Sequence, residues 1–508
     1  MAVVTCHQMR ALEAAAIAGG TTESALMENA GRGLARALLD LVPRPDTIII
    51  FAGKGHNAGD AWVAARHWLD AGWPVAAIAC FPHDEWRPLA TEKWRSVRDQ
   101  LLPTVPNSGR LVVVDALLGL GSAPPLRPPL LDACRHINTL RHQKNALVVA
   151  VDGPSGLDFD TGKSDPDAVR ADLTVTIGAA KRGLLAEDAL NHVGRLSVVP
   201  VAGLTPPATS DTDAECALTP SLLRAWMAPP RPYDFHKGQA GRILVVAGSR
   251  GMLGAGRLCA TAAVHGGAGL VTLAVPVSLQ DTAAASLPAE IMVRGYRQWS
   301  DLTAERADFL AVGPGLGRHD DAALAHWLAH DPRPAVVDAD ALNALAAVAT
   351  AGDKPAADHA RTALARPDRL LTPHPGEMRR LLDAWHPELV ATSRALQARG
   401  LASALGTTVL LKGARTVIAT PGQPLAHNTT GHPGMASGGL GDVLTGLCAA
   451  LRAHGMTPYR SATTASWLLG RAAELALCHP LNSPESLRAT LVIHHLGQAF
   501  SALRFSDA

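Results

Sequence analysis

Charge is scarce in this 508-residue chain: Asp, Glu, Lys and Arg make up 18% of it, against about 25% in an average soluble domain. The formal net charge of +1 gives no basis for general affinity toward nucleic acid or a lipid surface. No Cys-x-x-Cys pair occurs among the seven cysteines (Cys6, Cys80, Cys134, Cys216, Cys259, Cys448, Cys478). Their odd number and scatter argue against a disulfide framework or a cysteine-built zinc centre and for reduced thiols. No basic, apolar leader opens the sequence, and no stretch of about 20 residues is apolar enough to span a bilayer. A Gly-x-Gly-x-x-Gly fingerprint opening a βαβ unit is also missing, since Gly251-Met252-Leu253-Gly254-Ala255-Gly256 has its glycines in the wrong order. What remains is the expectation of a soluble, cytoplasmic protein with no nucleic-acid or membrane partner.

The length allows two or three domains. A polar, proline-containing segment at Val201–Asp213 divides the chain, which sets expected domains at 1–210 and 211–508. Both halves carry short, continuous apolar runs of the kind buried on both faces of a parallel sheet. In the first half these are 47–52, 75–79, 111–115 and 147–152; in the second, 242–248, 269–275, 309–313, 335–338, 370–372 and 409–412. Helical patterns lie between them, as at 61–69, 257–265 and 322–329. The fold class is therefore α/β in two domains, and open sheets of that class bind ligands beyond the carboxyl ends of their strands.

The densest chemistry lies at Asn428–Asp442, where Gly431, Gly434, Gly438, Gly439 and Gly441 precede Asp442 and a helical run follows. Glycines let backbone N–H groups turn toward one point, and a helix N-terminus adds partial positive charge there. That is a phosphate cradle with a carboxylate base at its mouth; a surface loop with an aspartate N-cap is the plainer alternative. Other strand ends deliver Gly313-Pro314-Gly315-Leu316-Gly317, Asp338-Ala339-Asp340, Thr372-Pro373-His374-Pro375-Gly376-Glu377 and Lys412-Gly413-Ala414-Arg415-Thr416. Taken singly, His374 stiffens a turn, Asp338 and Asp340 cap a helix and Lys412 is solvated; five coincidences in chain order favour a nucleotide site. In the first half, Gly53–Asp60, Asp115 with Gly119 and Gly121, and Asp152–Asp158 also follow strands. Asn57, Asp115 and Ser155 then fall on one rim as hard oxygen ligands with little excess charge, which suits a monovalent cation better than zinc.

Residues of about 5–200 resemble the NAD(P)H-hydrate epimerase family (the YjeF N-terminal domain). The likeness rests on Gly53–Ala61, Asp115–Gly121, Val151–Gly156, Leu26–Gly31 and Val175–Gly183. It implies a Rossmann-like three-layer α/β/α domain with K+ on Asn57, Asp115 and Ser155. Substrate would be contacted by His56, Asn57, Ala58, Gly59 and Asp60, by Gly119, Leu120, Gly121, Ser122, Ala123, Pro124 and Pro125, and by Asp152, the candidate proton-transfer group. His56 stands where that family usually has Asn, and Ala58 and Ala61 where it usually has Gly. A positive φ at Ala58 would strain the loop and weaken substrate binding.

Residues of about 218–505 resemble the NAD(P)H-hydrate dehydratases, a branch of the ribokinase-like α/β fold. The likeness rests on His236-Lys237-Gly238, Gly267–Thr272, Gly313–Gly317, Asp338–Asn343, Thr372–Glu377 and Gly438–Asp442. It implies that Ala255, Gly317, His374 and Asp442 contact the hydrated nucleotide, and that Lys412, Gly413, Ala414, Arg415, Thr416 and Gly441 contact ADP, with Mg2+. Asp442 would be the general base. The order of the two domains resembles the bacterial, ADP-using form, and a homo-oligomer is expected. A ribokinase-like small-molecule kinase joined to a non-catalytic N-terminal binding module is the alternative.

Overall fold

The computed structural model describes residues 1–42, 45–106, 109–205, 214–479 and 481–505. The chain divides into two compact units, Met1–Thr209 and Ser210–Ala508. The expected polar segment Val201–Asp213 lies outside the described residues from position 206 onward.

The first unit contains β1 (Val3–Val4), β2 (Thr47–Ala52), β3 (Val75–Ala79), β4 (Leu111–Ala116), β5 (Leu147–Val151), β6 (Leu173–Ile177), β7 (Ala180–Lys181) and β8 (Arg195–Val199). Six of them form one sheet in the order β3-β2-β4-β5-β6-β8, and every pair in it is parallel. In β2, alternate residues serve opposite layers because successive side chains point to opposite faces. Ile48 and Ile50 pack with Trp62 and Trp68 of helix His56–Asp70 and with Leu34 and Leu38 of helix Glu23–Leu41. Ile49 and Phe51 pack with Ala133, Cys134 and Ile137 of helix Leu130–Lys144. Burying each such side chain is worth roughly 1.5–3 kcal/mol, so a run apolar at every position is stable only between two helical layers. The chain leaves β2 toward β3 and returns to place β4 on the other side of β2, which opens a crevice beyond the carboxyl ends of β2 and β4.

The second unit contains β9 (Glu215–Ala217), β10 (Arg242–Val246), β11 (Leu270–Pro276), β12 (Ile291–Tyr296), β13 (Phe309–Val312), β14 (Ala335–Val337), β15 (Arg369–Leu371), β16 (Thr408–Leu411), β17 (Val417–Ala419) and β18 (Leu425–His427). They form one sheet in the order β12-β11-β10-β13-β14-β15-β16-β17-β18-β9. From β12 to β16 it is parallel; β17 pairs antiparallel with both β16 and β18. Here too Ile243 and Val245 face one core and Leu244 and Val246 the other. The order reverses between β10 and β13, so the crevice beyond these two strands is where a ligand is expected. On one face, helices Leu253–His265 and Leu440–Ala453 pack closely: a β-carbon at Gly446 would lie 2.0 Å from the Cys259 carbonyl oxygen. That contact fixes where the two N-termini meet the rim.

Candidate active sites

In the first unit the helix after β2 starts at His56, five residues earlier than the pattern beginning at Ala61 suggests. Ala58 and Ala61 therefore have helical backbone, and neither is among the non-glycine residues with positive φ. The strain expected at Ala58 is absent. His56, Asn57 and Ala58 open the first turn, so their N–H groups and the helix dipole face the crevice, while the Gly59 N–H donates to the Gly55 carbonyl (3.4 Å).

The three expected cation ligands are brought together. The Asn57 amide donates to the Leu118 carbonyl (2.9 Å), and the Leu118 N–H donates to the Ser155 hydroxyl (3.1 Å). That hydroxyl donates in turn to Asp115 Oδ1 (2.7 Å). Asp115 also accepts from the Ser155 N–H (2.8 Å) and the Leu117 N–H (3.2 Å). Burial pushes the Asp115 carboxyl up to about 6 against these donors. The set is all oxygen with one formal charge, and Asn57 Oδ1, close to Gly119, takes no hydrogen bond among the described residues. It fits a hard monovalent cation. Within the expected substrate loop, Ser122 Oγ accepts from the Gly156 N–H (2.9 Å) and the Leu120 carbonyl from Arg10 (2.8 Å), so these two groups hold turns in place.

Asp152 stands apart from that chain of bonds. Its backbone is left-handed, with φ 65°, and its carboxylate accepts from the buried Lys181 ammonium, the Ile177 N–H (3.0 Å) and the Thr176 hydroxyl (3.3 Å). Burial, then Asp152, then Glu13 push the Asp60 carboxyl well above its ordinary range. Burial followed by Asp152 raises Glu13 too. Asp60, Asp152, Glu13 and Lys181 thus form one electrostatic cluster. The sequence does not single out Glu13 or Lys181: Glu13 lies on a helix with no motif, and Lys181 lies within the Val175–Gly183 run.

In the second unit the crevice gathers the ends of β14, β15 and β16 with the N-terminus of helix Leu440–Ala453. Gly439, in left-handed conformation (φ 91°), caps that helix, and Asp442 is its third residue. Ser437 Oγ, just before it, is buried with no hydrogen-bond partner among the described residues, as expected of a group awaiting a polar ligand. Gly431 and Gly434 do not join this cradle. The Gly431 N–H donates to Glu474 (2.9 Å), and Gly434 packs against the Pro484 backbone. Five glycines in sequence become three at the helix start.

Asp338 is the anchor. Lys412 donates to its Oδ1 (2.6 Å) and the buried Thr445 hydroxyl to its Oδ2 (2.7 Å). Lys412 also lies 3.8 Å from Glu377. It is an ion-pair residue rather than a solvated one. A β-carbon at Gly441 would stand 3.3 Å from the Lys412 ammonium, which places the expected nucleotide residues Lys412 and Gly441 side by side. Arg394 braces the loop between them and Thr416, donating to the carbonyls of Leu411, Lys412 and Ala414 (3.1–3.2 Å). Burial, then Asp338, push Asp442 up to about 6, opposed by Lys412. Glu377 is pushed up to about 7, by burial first, with Lys412 opposing.

His374 has the turn-stiffening role. Its Nδ1 accepts from the Gly376 and Glu377 N–H groups (2.9 and 3.3 Å), capping helix Pro375–Trp385, while Nε2 lies 3.3 Å from Glu377. Burial, then Lys412, lower its pKa, which keeps the ring neutral with its proton on Nε2. The Gly317 N–H donates to Asp340 (2.9 Å), and Ala255 packs against Gly315 at the β10–β13 reversal. Asp338, Asp340, Glu377, Thr445 and Arg394 complete the site; the first three stood in quoted motifs, whereas Thr445 and Arg394 carried no signal.

The family model described as YjeF-related protein N-terminus matches residues 23–183, and that described as NAD(P)H-hydrate dehydratase matches residues 243–493. A bifunctional NAD(P)H-hydrate repair enzyme of Leishmania infantum is 35% identical over 521 aligned positions, covering 96% of this chain and 91% of its own length. Relatives of the same name from Pyrobaculum aerophilum (37%, 90% of each chain) and Coxiella burnetii (33%, 92% and 94%) are similar over the same extent. Among solved structures, the ADP/ATP-dependent NAD(P)H-hydrate dehydratase of Bacillus subtilis, co-crystallised with ATP/Mg2+, matches with a TM-score of 0.47 at 30% identity. That match covers 56% of this chain and 97% of the other. The full-length relatives favour the repair reading over a small-molecule kinase with a non-catalytic N-terminal module.

Proposed function

The chain belongs to the bifunctional NAD(P)H-hydrate repair enzymes, and on that premise we propose a division of labour between its two crevices. Residues 1–210 exchange the R and S forms of hydrated NADH and NADPH at C6. Residues 211–508 dehydrate the S form with ADP, yielding NAD(P)H, AMP and phosphate.

The observation that carries the second role is Asp442: a carboxylate at a helix N-terminus, held to no donor among the described residues, with its pKa pushed up to about 6. It is ionised at neutral pH yet basic enough to accept a proton. Asp442 takes the proton of the C6 hydroxyl as that oxygen bonds to the β-phosphorus of ADP and the bond to the AMP oxygen breaks. The N–H groups at Gly438–Gly441 and the Lys412 ammonium stabilise the charge on the transferring group. The C6–O bond then breaks as phosphate leaves, a ring proton is lost from C5, and the reduced nicotinamide is restored. Ala255, Gly317 and His374 position the hydrated ring, and Lys412–Thr416 with Gly441 hold ADP. Asp338 and Asp340 offer the hard carboxylate oxygens that would hold Mg2+, which would supply positive charge against the phosphates.

In the first unit, Asn57, Asp115 and Ser155 would hold K+, which supplies a positive charge in the β2–β4 crevice. His56–Asp60 and Gly119–Pro125 line the substrate's path, and Asp152 with its Lys181 partner is the proton-transfer candidate. Seven unpaired cysteines support a reducing, cytoplasmic setting. Asp442→Asn tests the assignment: recovery of NADH absorbance from the S hydrate with ADP is abolished while epimer exchange persists. Retained NADH recovery in that variant would overturn it.

A further inference from the structure

Helix Asp321–His330 carries His326 and His330 one turn apart, so their side chains share a face. The neighbouring helix Lys354–Leu364 brings His359 to the same place. The three rings have centroids 4.3, 4.7 and 5.2 Å apart. One ring nitrogen from each lies within 4.8 Å of the other two. No residue of this cluster takes part in either crevice described above.

Three features mark the cluster as a metal site rather than a chance meeting. First, His330 Nδ1 lies 2.7 Å from the His326 carbonyl oxygen. A carbonyl only accepts, so Nδ1 carries the proton and Nε2 presents its lone pair, the arrangement that orients a ligating imidazole. Second, the mount is rigid. Leu324, Ala325 and Leu328 of one helix and Ala356, Ala360, Ala363 and Leu364 of the other are buried in one core beneath the rings. Third, one nitrogen from each ring lies close enough to the other two for a single cation to be shared by all three. Zinc–nitrogen bonds of about 2.0–2.1 Å put tetrahedral ligands roughly 3.3 Å apart. Small rotations of His326 and His330, both exposed, close the rings to that spacing.

We propose that His326, His330 and His359 bind one divalent transition-metal ion of the zinc class. An all-imidazole set selects Zn2+, Co2+, Ni2+ or Cu2+ over Mg2+ and Ca2+. His326 and His330 also border a cavity of about 650 Å3 lined by Trp299, Trp327 and His319, so the fourth coordination position opens onto it. Bound metal clamps the two helices and raises the stability of the second unit.

The test is titration of the chelator-stripped full chain with Co2+, read as visible d–d absorbance, and with Zn2+, read as thermal shift. The wild type takes up one Co2+ with a tetrahedral spectrum, and Zn2+ raises its Tm. The His326→Ala/His359→Ala variant, which melts like the metal-free wild type, loses that spectrum. Its affinity falls by more than the roughly 10–100-fold that follows loss of a group merely orienting a ligand. His494→Ala, outside the cluster, binds as the wild type does. Equal affinity and stoichiometry in the double variant and the wild type, or an octahedral spectrum in both, would overturn the proposal.

Discussion

Lys412→Met removes the one ammonium that faces Asp338, Glu377 and Asp442. Lys412 lies 2.6 Å from Asp338 and 3.8 Å from Glu377, and it opposes the upward shifts of Glu377 and Asp442. Two unit charges 3.8 Å apart interact by about 4 kcal/mol at an effective dielectric constant of about 20. At about 1.4 kcal/mol per pKa unit, the ceiling for Glu377 is roughly 3 units. Asp442, with no direct bond to the ammonium, takes a smaller share, on the order of 1 unit. With Asp442 as the proposed base, kcat of the wild type at saturating ADP should fall as pH drops through about 6. In the variant that acid limb moves upward by about 1 unit.

Stability moves with it. Breaking a buried pair while keeping one partner costs about 3–5 kcal/mol, because Asp338 keeps its charge and only the Thr445 hydroxyl remains to it. A carboxyl whose folded pKa lies above its unfolded value binds protons more tightly when folded. The destabilisation is therefore full above the folded pKa and shrinks as pH falls through it. Urea unfolding of the variant should show a loss at pH 8 that narrows by pH 5.5. An acid limb that stays near 6 or moves down, or a loss that does not vary with pH, would refute the electrostatic account.

Gly446→Ala should cost about 1–3 kcal/mol or more in urea unfolding, since its β-carbon meets the Cys259 carbonyl at 2.0 Å and must part the two helices that set the phosphate cradle. Lys181→Met should slow epimer exchange and destabilise the chain by about 3–5 kcal/mol by stranding buried Asp152, while dehydration of pure S hydrate continues. Ala58→Gly should lose about 1 kcal/mol of stability from a buried helical position and leave the KM of epimer exchange unchanged; a much lower KM would show that the loop needs a conformation alanine resists.

Buried parallel strands were legible in the sequence because a strand covered on both faces must be apolar along its covered length, as residues 48–52 and 243–246 are. β12 was not: it is an edge strand, and its Ile-Met-Val-Arg-Gly-Tyr pattern leaves Met292 and Arg294 exposed. β17 and β18 hide for another reason, being three residues each and joined antiparallel. Motifs located the strand ends but not the bonds between them. That Lys412 serves Asp338, or that Ser155 joins Leu118 to Asp115, depends on a pairing across 74 or 37 positions of sequence. The start of helix His56–Asp70 was misplaced because glycine-rich turns and helix first turns share a composition: both favour small residues where backbone N–H groups stay unpaired.

Burial raises the carboxyl pKa of Asp115 in one crevice and of half-buried Asp442 in the other to about 6, but the groups around the two carboxylates differ. Asp115 accepts three hydrogen bonds, two from Ser155 and one from Leu117, so protonating it would break bonds that hold its loop. Such a carboxylate is built to stay where it is and hold a cation. Asp442 accepts none among the described residues; its environment is set by burial, the Asp338 charge, the Lys412 ammonium and the Asp340 charge, all of which persist when a proton arrives. Taking up a proton there disturbs no bond and relieves repulsion from Asp338. A carboxylate that can change charge without moving its neighbours is suited to pass a proton in every turnover, which supports the role proposed for Asp442.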